Sequence, residues 1–192
     1  MNKNYLVTGA TSALGRALAD FIKKRYGNEV KLFLVSRSHN KELEALADTN
    51  VVYRSGVDLL DMNPTDMLAQ EIDNFFEGNF TLIHSAGDFW LHEPFLDFNT
   101  RKARNMMDSH YGTFYNVLQI VLPMMIKKGG GKILTFGCNA TDYHFPNMLP
   151  FTAAKAAVDA TIKCIAHEYA NRNIVANSIA LSSLKTPQNK ES

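Results

Sequence analysis

Two cysteines in 192 residues leave no scope for a disulfide framework. Cys138 and Cys164 stand in different segments, and their spacing is not that of a metal site. A reducing cytoplasm is the expected compartment. Charge of either sign is not in excess. Twenty Lys and Arg face nineteen Asp and Glu, for a formal net charge of +1. That balance gives no reason to expect nucleic acid or an anionic membrane as the main partner. No apolar run approaches the roughly 20 residues a membrane helix needs. The opening MNKNYLVTGA enters a strand-like pattern directly and does not read as a signal peptide. Internal repeats, low-complexity tracts and interdomain linkers are also missing. What remains is an ordinary globular composition, 46% hydrophobic and 20% charged. The length suits one domain with a sizeable core, residues 1–186, and a polar tail over 187–192.

Short β-branched apolar runs alternate with longer helical patterns. Strands are expected at Tyr5–Thr8, Val30–Val35, Val51–Arg54, Thr81–His84, Lys132–Phe136 and Ile174–Ile179. Helices are expected at Leu14–Gly27, Lys41–Ala47, Asp66–Phe76, Arg101–Lys127 and Phe151–Asn171. Such alternation points to βαβ units and right-handed crossovers. The expected fold is α/β: a Rossmann-type, doubly wound parallel sheet with helices on both faces, a three-layer αβα arrangement.

The first strand ends in TGATSALG, Thr8 to Gly15, and a helix follows at once. Glycines at such a junction let backbone approach a pyrophosphate, and the helix start offers free N–H groups and a positive dipole end. A glycine pattern alone is weak, but its place after a first strand and before an amphipathic helix makes a dinucleotide the expected ligand. The second strand ends in VSRS, with no acid at Val35, Ser36 or Arg37 to bind an adenine ribose. Ser36 and Arg37 would instead suit a 2′-phosphate, which favours NADP(H) over NAD(H). In PFTAAKAAVDA, Phe151 and Lys155 are one helical turn apart and look at the same space. Lys155 is there either a snorkelling surface lysine or a cation at the edge of a ligand site.

These motifs resemble those of the short-chain dehydrogenases/reductases, over nearly the whole chain. TGATSALG resembles the family's TGxxxGxG loop with Ala13 in place of the middle glycine. The resemblance implies cofactor contacts from Gly9, Thr11, Ser12, Ala13, Leu14 and Gly15. In VDLLD it implies that Asp58 contacts the adenine amino group and that Leu59 packs nearby. His84-Ser85-Ala86-Gly87 stands where the family has NNAG, so Ser85, Ala86 and Gly87 are expected beside the cofactor. VANSIALSSLKTP resembles the sixth strand and the turn ending in a cofactor-binding threonine, here Thr186. The run from Thr186 to Asn189 also has a distant similarity to the dihydropteridine reductase branch.

The resemblance places the family's working Asn, Ser, Tyr and Lys on Ser109, Cys138, Phe151 and Lys155. Only Lys155 keeps the family residue, and it would bind the nicotinamide ribose. Phe151 has no hydroxyl with which to transfer a proton. Tyr143, with His144 behind it, is the first replacement donor, in the NATDYHFP stretch after the fifth strand. His84 and His110 fall near cofactor positions, where a lone histidine is more readily a hydrogen-bonded structural group. Cys138 reads as an inert small residue unless a neighbour activates its thiol. The implied activity is oxidoreduction of a small carbonyl-type substrate with altered proton transfer. The alternatives are a non-catalytic dinucleotide-binding sensor or assembly partner, and a module that binds no nucleotide. A homodimer or homotetramer paired through the two long helices is also implied.

Overall fold

The computed structural model describes residues 3–62, 66–88, 93–184 and 186. Six parallel strands form one sheet in the order β3-β2-β1-β4-β5-β6. They are β1 Asn4–Thr8, β2 Lys31–Val35, β3 Val51–Arg54, β4 Thr81–His84, β5 Gly131–Cys138 and β6 Ile174–Leu181. Seven α-helices connect them among the described residues: α1 Ala13–Tyr26, α2 Lys41–Ala45, α3 Met67–Phe75, α4 Thr100–Met107, α5 Thr113–Lys127, α6 Ala140–Tyr143 and α7 Leu149–Glu168.

The strands are nearly continuous apolar runs because both faces of the sheet are covered. Successive residues of a strand point to opposite faces, and the core divides accordingly. Leu6, Phe33, Leu82 and Ile133 pack with Ile72 of α3, Phe114 and Val121 of α5, and Val158 of α7. Val7, Leu32, Leu34 and Ile83 pack on the other side with Ala19 and Ile22 of α1 and Leu43 of α2. This is the expected three-layer fold, and each expected strand appears. β5 and β6 run further than their apolar cores, pairing in register from Gly131 with Ile174 to Cys138 with Leu181.

Two local features differ from the sequence reading. The stretch expected as one helix over Arg101–Lys127 is three pieces, with a π-helical segment at Asp108–Gly112 between α4 and α5. Thr113 Oγ1 accompanies the break, donating to the Ser109 carbonyl at 2.7 Å. Such π segments cluster at functional sites. The NATDYHFP stretch is also not all loop, since its middle forms α6.

The strand order reverses between β1 and β4. Neighbouring crossovers leave on opposite faces there, so a crevice opens at the strands' carboxyl ends. The glycine loop, Ser36–Arg37, Asp58–Leu59, His84–Gly87 and Phe151–Lys155 converge on that edge, and residues 187–192 lie outside the described residues.

Candidate functional site

The crevice is built first from backbone. Gly9 turns with φ +73°, and a Cβ there would lie 2.4 Å from the Ala86 nitrogen. A Cβ on Gly15 would lie 2.4 Å from the Gly9 carbonyl oxygen. Both glycines are therefore required by close packing of the loop on the end of β4. Ser12 caps α1, its Oγ accepting from the Gly15 N–H at 2.9 Å. Ser85 ties the loop down from the other side: its Oγ donates to the Thr8 carbonyl at 3.0 Å and the Gly9 carbonyl at 3.2 Å. A serine thus anchors this loop from the motif in which the family carries its second asparagine. The N–H groups of Ala13 and Leu14 belong to the first turn of α1, which has no intrahelical acceptors for them.

Two adjoining cavities, about 540 and 370 Å³, share Ser12 and the run from Ser85 to Asp88. The smaller is lined by Gly9, Thr11, Ser36, Arg37, Asp58, Leu59 and Ser109. Ala13, Leu14, Cys138, Phe151, Lys155 and Thr186 line the larger. Apart from Gly15, which lies behind the loop, the cofactor residues expected from sequence thus fall along one groove. Lys155 is partly buried there, and its Nζ donates to the Phe136 carbonyl at 2.8 Å. Burial pushes its pKa down to about 8, while Cys138 and Asp159 pull the other way. Lys155 is thus part of a cavity wall and not a fully exposed surface lysine.

Phe151 and Cys138 line the larger cavity with Lys155, and Ser109 lines the smaller one. The Phe151 ring lies 5.8 Å from Lys155 Nζ. Cys138 Sγ accepts from the Ala140 N–H at 3.4 Å, which helps to start α6. Ser109 Oγ donates to the Met106 carbonyl at 3.2 Å, inside its own helix. Tyr143 is not brought to the wall of either cavity. It is 70% exposed and stacks on Phe145, which does line the larger one. His144 ends α6 in the left-handed region and is exposed.

At the smaller cavity, Ser36 is buried, and its hydroxyl donates to the Ser38 carbonyl at 2.7 Å and meets the Tyr53 hydroxyl at 3.0 Å. Arg37 is exposed and pairs with Asp88 at 3.2 Å. Sequence reasoning missed Asp88, although it directly follows the His84–Gly87 motif.

The two histidines diverge. His84 is the hydrogen-bonded structural group expected: its Nδ1 lies 2.8 Å from Thr8 Oγ1, joining β4 to β1. His110 is not. It is 5% exposed, yet neither ring nitrogen makes a hydrogen bond. Its ring stands edge-on to Phe151, with centroids 5.3 Å apart. Both histidines line the larger cavity. Burial, then the nearby Lys155 charge, pushes both pKa values down to about 3. For His110, His84 adds to that push and the Asp88 backbone weakly opposes it. Both are therefore neutral imidazoles at neutral pH.

The short chain dehydrogenase family profile matches residues 3–192. The chain is a short-chain dehydrogenase/reductase. This short-chain dehydrogenase/reductase is 30% identical over 187 residues to a fatty acyl-CoA reductase of Acinetobacter baylyi, covering 95% of this chain and 62% of that protein. It is 22% identical over 188 residues to a chloroplastic tropinone reductase homolog of Arabidopsis thaliana, covering 94% and 56%. The chain thus spans less than two thirds of the length of these curated relatives. Among solved structures it resembles a short chain dehydrogenase of Escherichia coli CFT073 complexed with NADPH, at TM-score 0.85 and 22% identity, covering 99% of this chain and 80% of that one. It also resembles an ElxO tyrosine-to-phenylalanine variant with NADPH bound, at TM-score 0.86 and 23% identity, covering 100% and 77%. No described helix is long and apolar enough to cross a membrane.

Proposed function

We propose that this short-chain dehydrogenase/reductase binds NADP(H) in preference to NAD(H) and acts on a small carbonyl-type substrate with atypical proton transfer. The observation that carries the reading is Lys155. Its Nζ is held on the same groove as the glycine loop and the start of α1, and the adjoining cavity carries the exposed guanidinium of Arg37. The residues present fit the cofactor. Ala13 and Leu14 would offer N–H groups to the pyrophosphate, and Asp58 would face the adenine. Lys155 would take the nicotinamide ribose, and Arg37 the 2′-phosphate. Bound nicotinamide supplies the hydride chemistry, and the chain's task is orientation.

Phe151 contributes shape and excludes water but moves no proton. The proton for the substrate oxygen falls to solvent or to Tyr143, which is one ring removed from the cavity through Phe145. In ElxO, NADPH is held by a variant in which a tyrosine is replaced by phenylalanine. A missing tyrosine hydroxyl is therefore compatible with cofactor binding in that protein. The test is NADPH consumption across a panel of small aldehydes, ketones and quinones. Turnover by the intact protein that is lost in Tyr143→Phe assigns the proton to Tyr143; turnover unchanged in that variant assigns it to solvent.

A second reading is favoured by Ser109, whose hydroxyl is engaged within its helix, together with the lack of a hydroxyl at Phe151 and Cys138. It is a non-catalytic dinucleotide-binding relative, a sensor or assembly partner. Saturable NADPH binding with no turnover across the panel would select it.

A further inference from the structure

Arg37 follows β2, and Asp88 follows β4 by four residues. β1 lies between those strands. The Arg37–Asp88 pair, with Nη2 donating to Oδ1 at 3.2 Å, therefore reaches across the end of β1, over the glycine loop. Both residues line the smaller cavity.

The charges around it are uneven. Among the described residues lining that cavity, Arg37 is the sole cation, and Asp58, Asp88 and Asp108 are carboxylates. Asp58 is exposed and accepts from the Leu60 N–H at 3.0 Å. Ser36 offers no free hydroxyl, because both of its contacts are internal. A 2′-phosphate arriving here thus has one charged partner, and a carboxylate already holds it. A guanidinium forks onto phosphate more strongly than it holds one exposed carboxylate. Taking Arg37, however, leaves the Asp88 charge facing the phosphate charge.

We propose that Asp88 is a specificity-determining residue that competes with the 2′-phosphate for Arg37 and so holds down the preference for NADPH over NADH. The inference rests on the reading that Arg37 receives that phosphate. NADH carries no such group, so its binding does not have to break the pair. Both side chains are more than half exposed, at 66% and 52%, so solvent screens the interaction. The effect is accordingly a modest one and greatest at low salt.

The test is titration of the intact protein with NADPH and with NADH by cofactor fluorescence, in low and high salt. Wild type is compared with Asp88→Asn, Arg37→Ala and the double variant. Asp88→Asn keeps the shape of an exposed side chain, and a thermal melt checks its fold. The expected result is NADPH binding about three- to five-fold tighter in Asp88→Asn, NADH unchanged within about two-fold, and a gain that shrinks at high salt. In the Arg37→Ala background the gain should be smaller, since the two changes share one partner. The proposal is overturned if Asp88→Asn leaves the NADPH-to-NADH ratio unchanged while Arg37→Ala lowers it; Asp88 is then only a surface pair. It is also overturned if Asp88→Asn weakens NADH, which would place a ribose hydroxyl on Asp88. A ratio untouched by Arg37→Ala, or binding of neither cofactor, sinks the reading of Arg37 or of the groove, and the inference with it.

Discussion

Lowering the pH from 7 to 5 should destabilise this protein through two residues, His84 and His110. Each is nearly fully buried, at 3% and 5% exposure, and each has a pKa near 3 in the fold against an ordinary 6.5. The folded state therefore binds fewer protons than the unfolded chain between those values, so stability falls as pH drops through 6.5. It goes on falling until the folded pKa is reached. A fully developed difference is worth about 1.4 kcal/mol per pH unit for each group. Allowing for partial titration near 6.5, the loss between pH 7 and pH 5 is roughly 2 kcal/mol per histidine, or about 4 kcal/mol together. That is a large part of a typical stability of about 5–15 kcal/mol. The carboxylates that lysines hold below their usual range, such as Asp48 and Asp73, lose their stabilisation only below about pH 4, outside this window.

The assay is urea unfolding at both pH values, for wild type and His110→Leu. The variant should lose about half of the pH dependence. At pH 7 it should be more stable by about 1 kcal/mol, because two buried nitrogens without partners are removed. A wild-type stability flat between pH 7 and 5, or a His110→Leu protein that keeps the full loss, would refute the reasoning.

Two further outcomes follow from the site. Ser85→Ala removes the two side-chain hydrogen bonds to the Thr8 and Gly9 carbonyls, which keep the Ser85 and Ser12 N–H groups as partners, so it should cost about 0.5–1.5 kcal/mol in chemical denaturation and weaken NADPH binding in the same protein. Phe151→Tyr should leave the NADPH dissociation constant within a few-fold while raising carbonyl reduction about a hundred-fold, the lower end of the range for a positioned general acid; complete silence with cofactor bound would show a deeper loss than one hydroxyl.

The fold was legible because each parallel strand is an apolar run, and helices such as α1 and α2 start on capping residues, Ser12 and Asn40. The break at Asp108–Gly112 was not, since Ser109, His110 and Gly112 fit a continuous helical pattern. The π turn shows in the backbone bond from the Thr113 N–H to the Asp108 carbonyl, five residues back. The glycine loop and Lys155 were legible as motifs at fixed spacings. Ser36 looked free in sequence and is buried, because Tyr53 on the neighbouring strand reaches its hydroxyl. Arg37 looked free and meets Asp88, which is 51 residues away. His110 was expected to find a partner and has none. Each of these rests on contacts between segments distant in sequence, which spacing along the chain does not encode.

Titration of the protein with NADPH by calorimetry tests the central claim most directly. Saturable binding at one site per chain, weakened by at least ten-fold in Lys155→Met, is the predicted result, in line with the loss of a charge-assisted contact. No binding heat from NADPH or NADH at millimolar concentration would contradict the account.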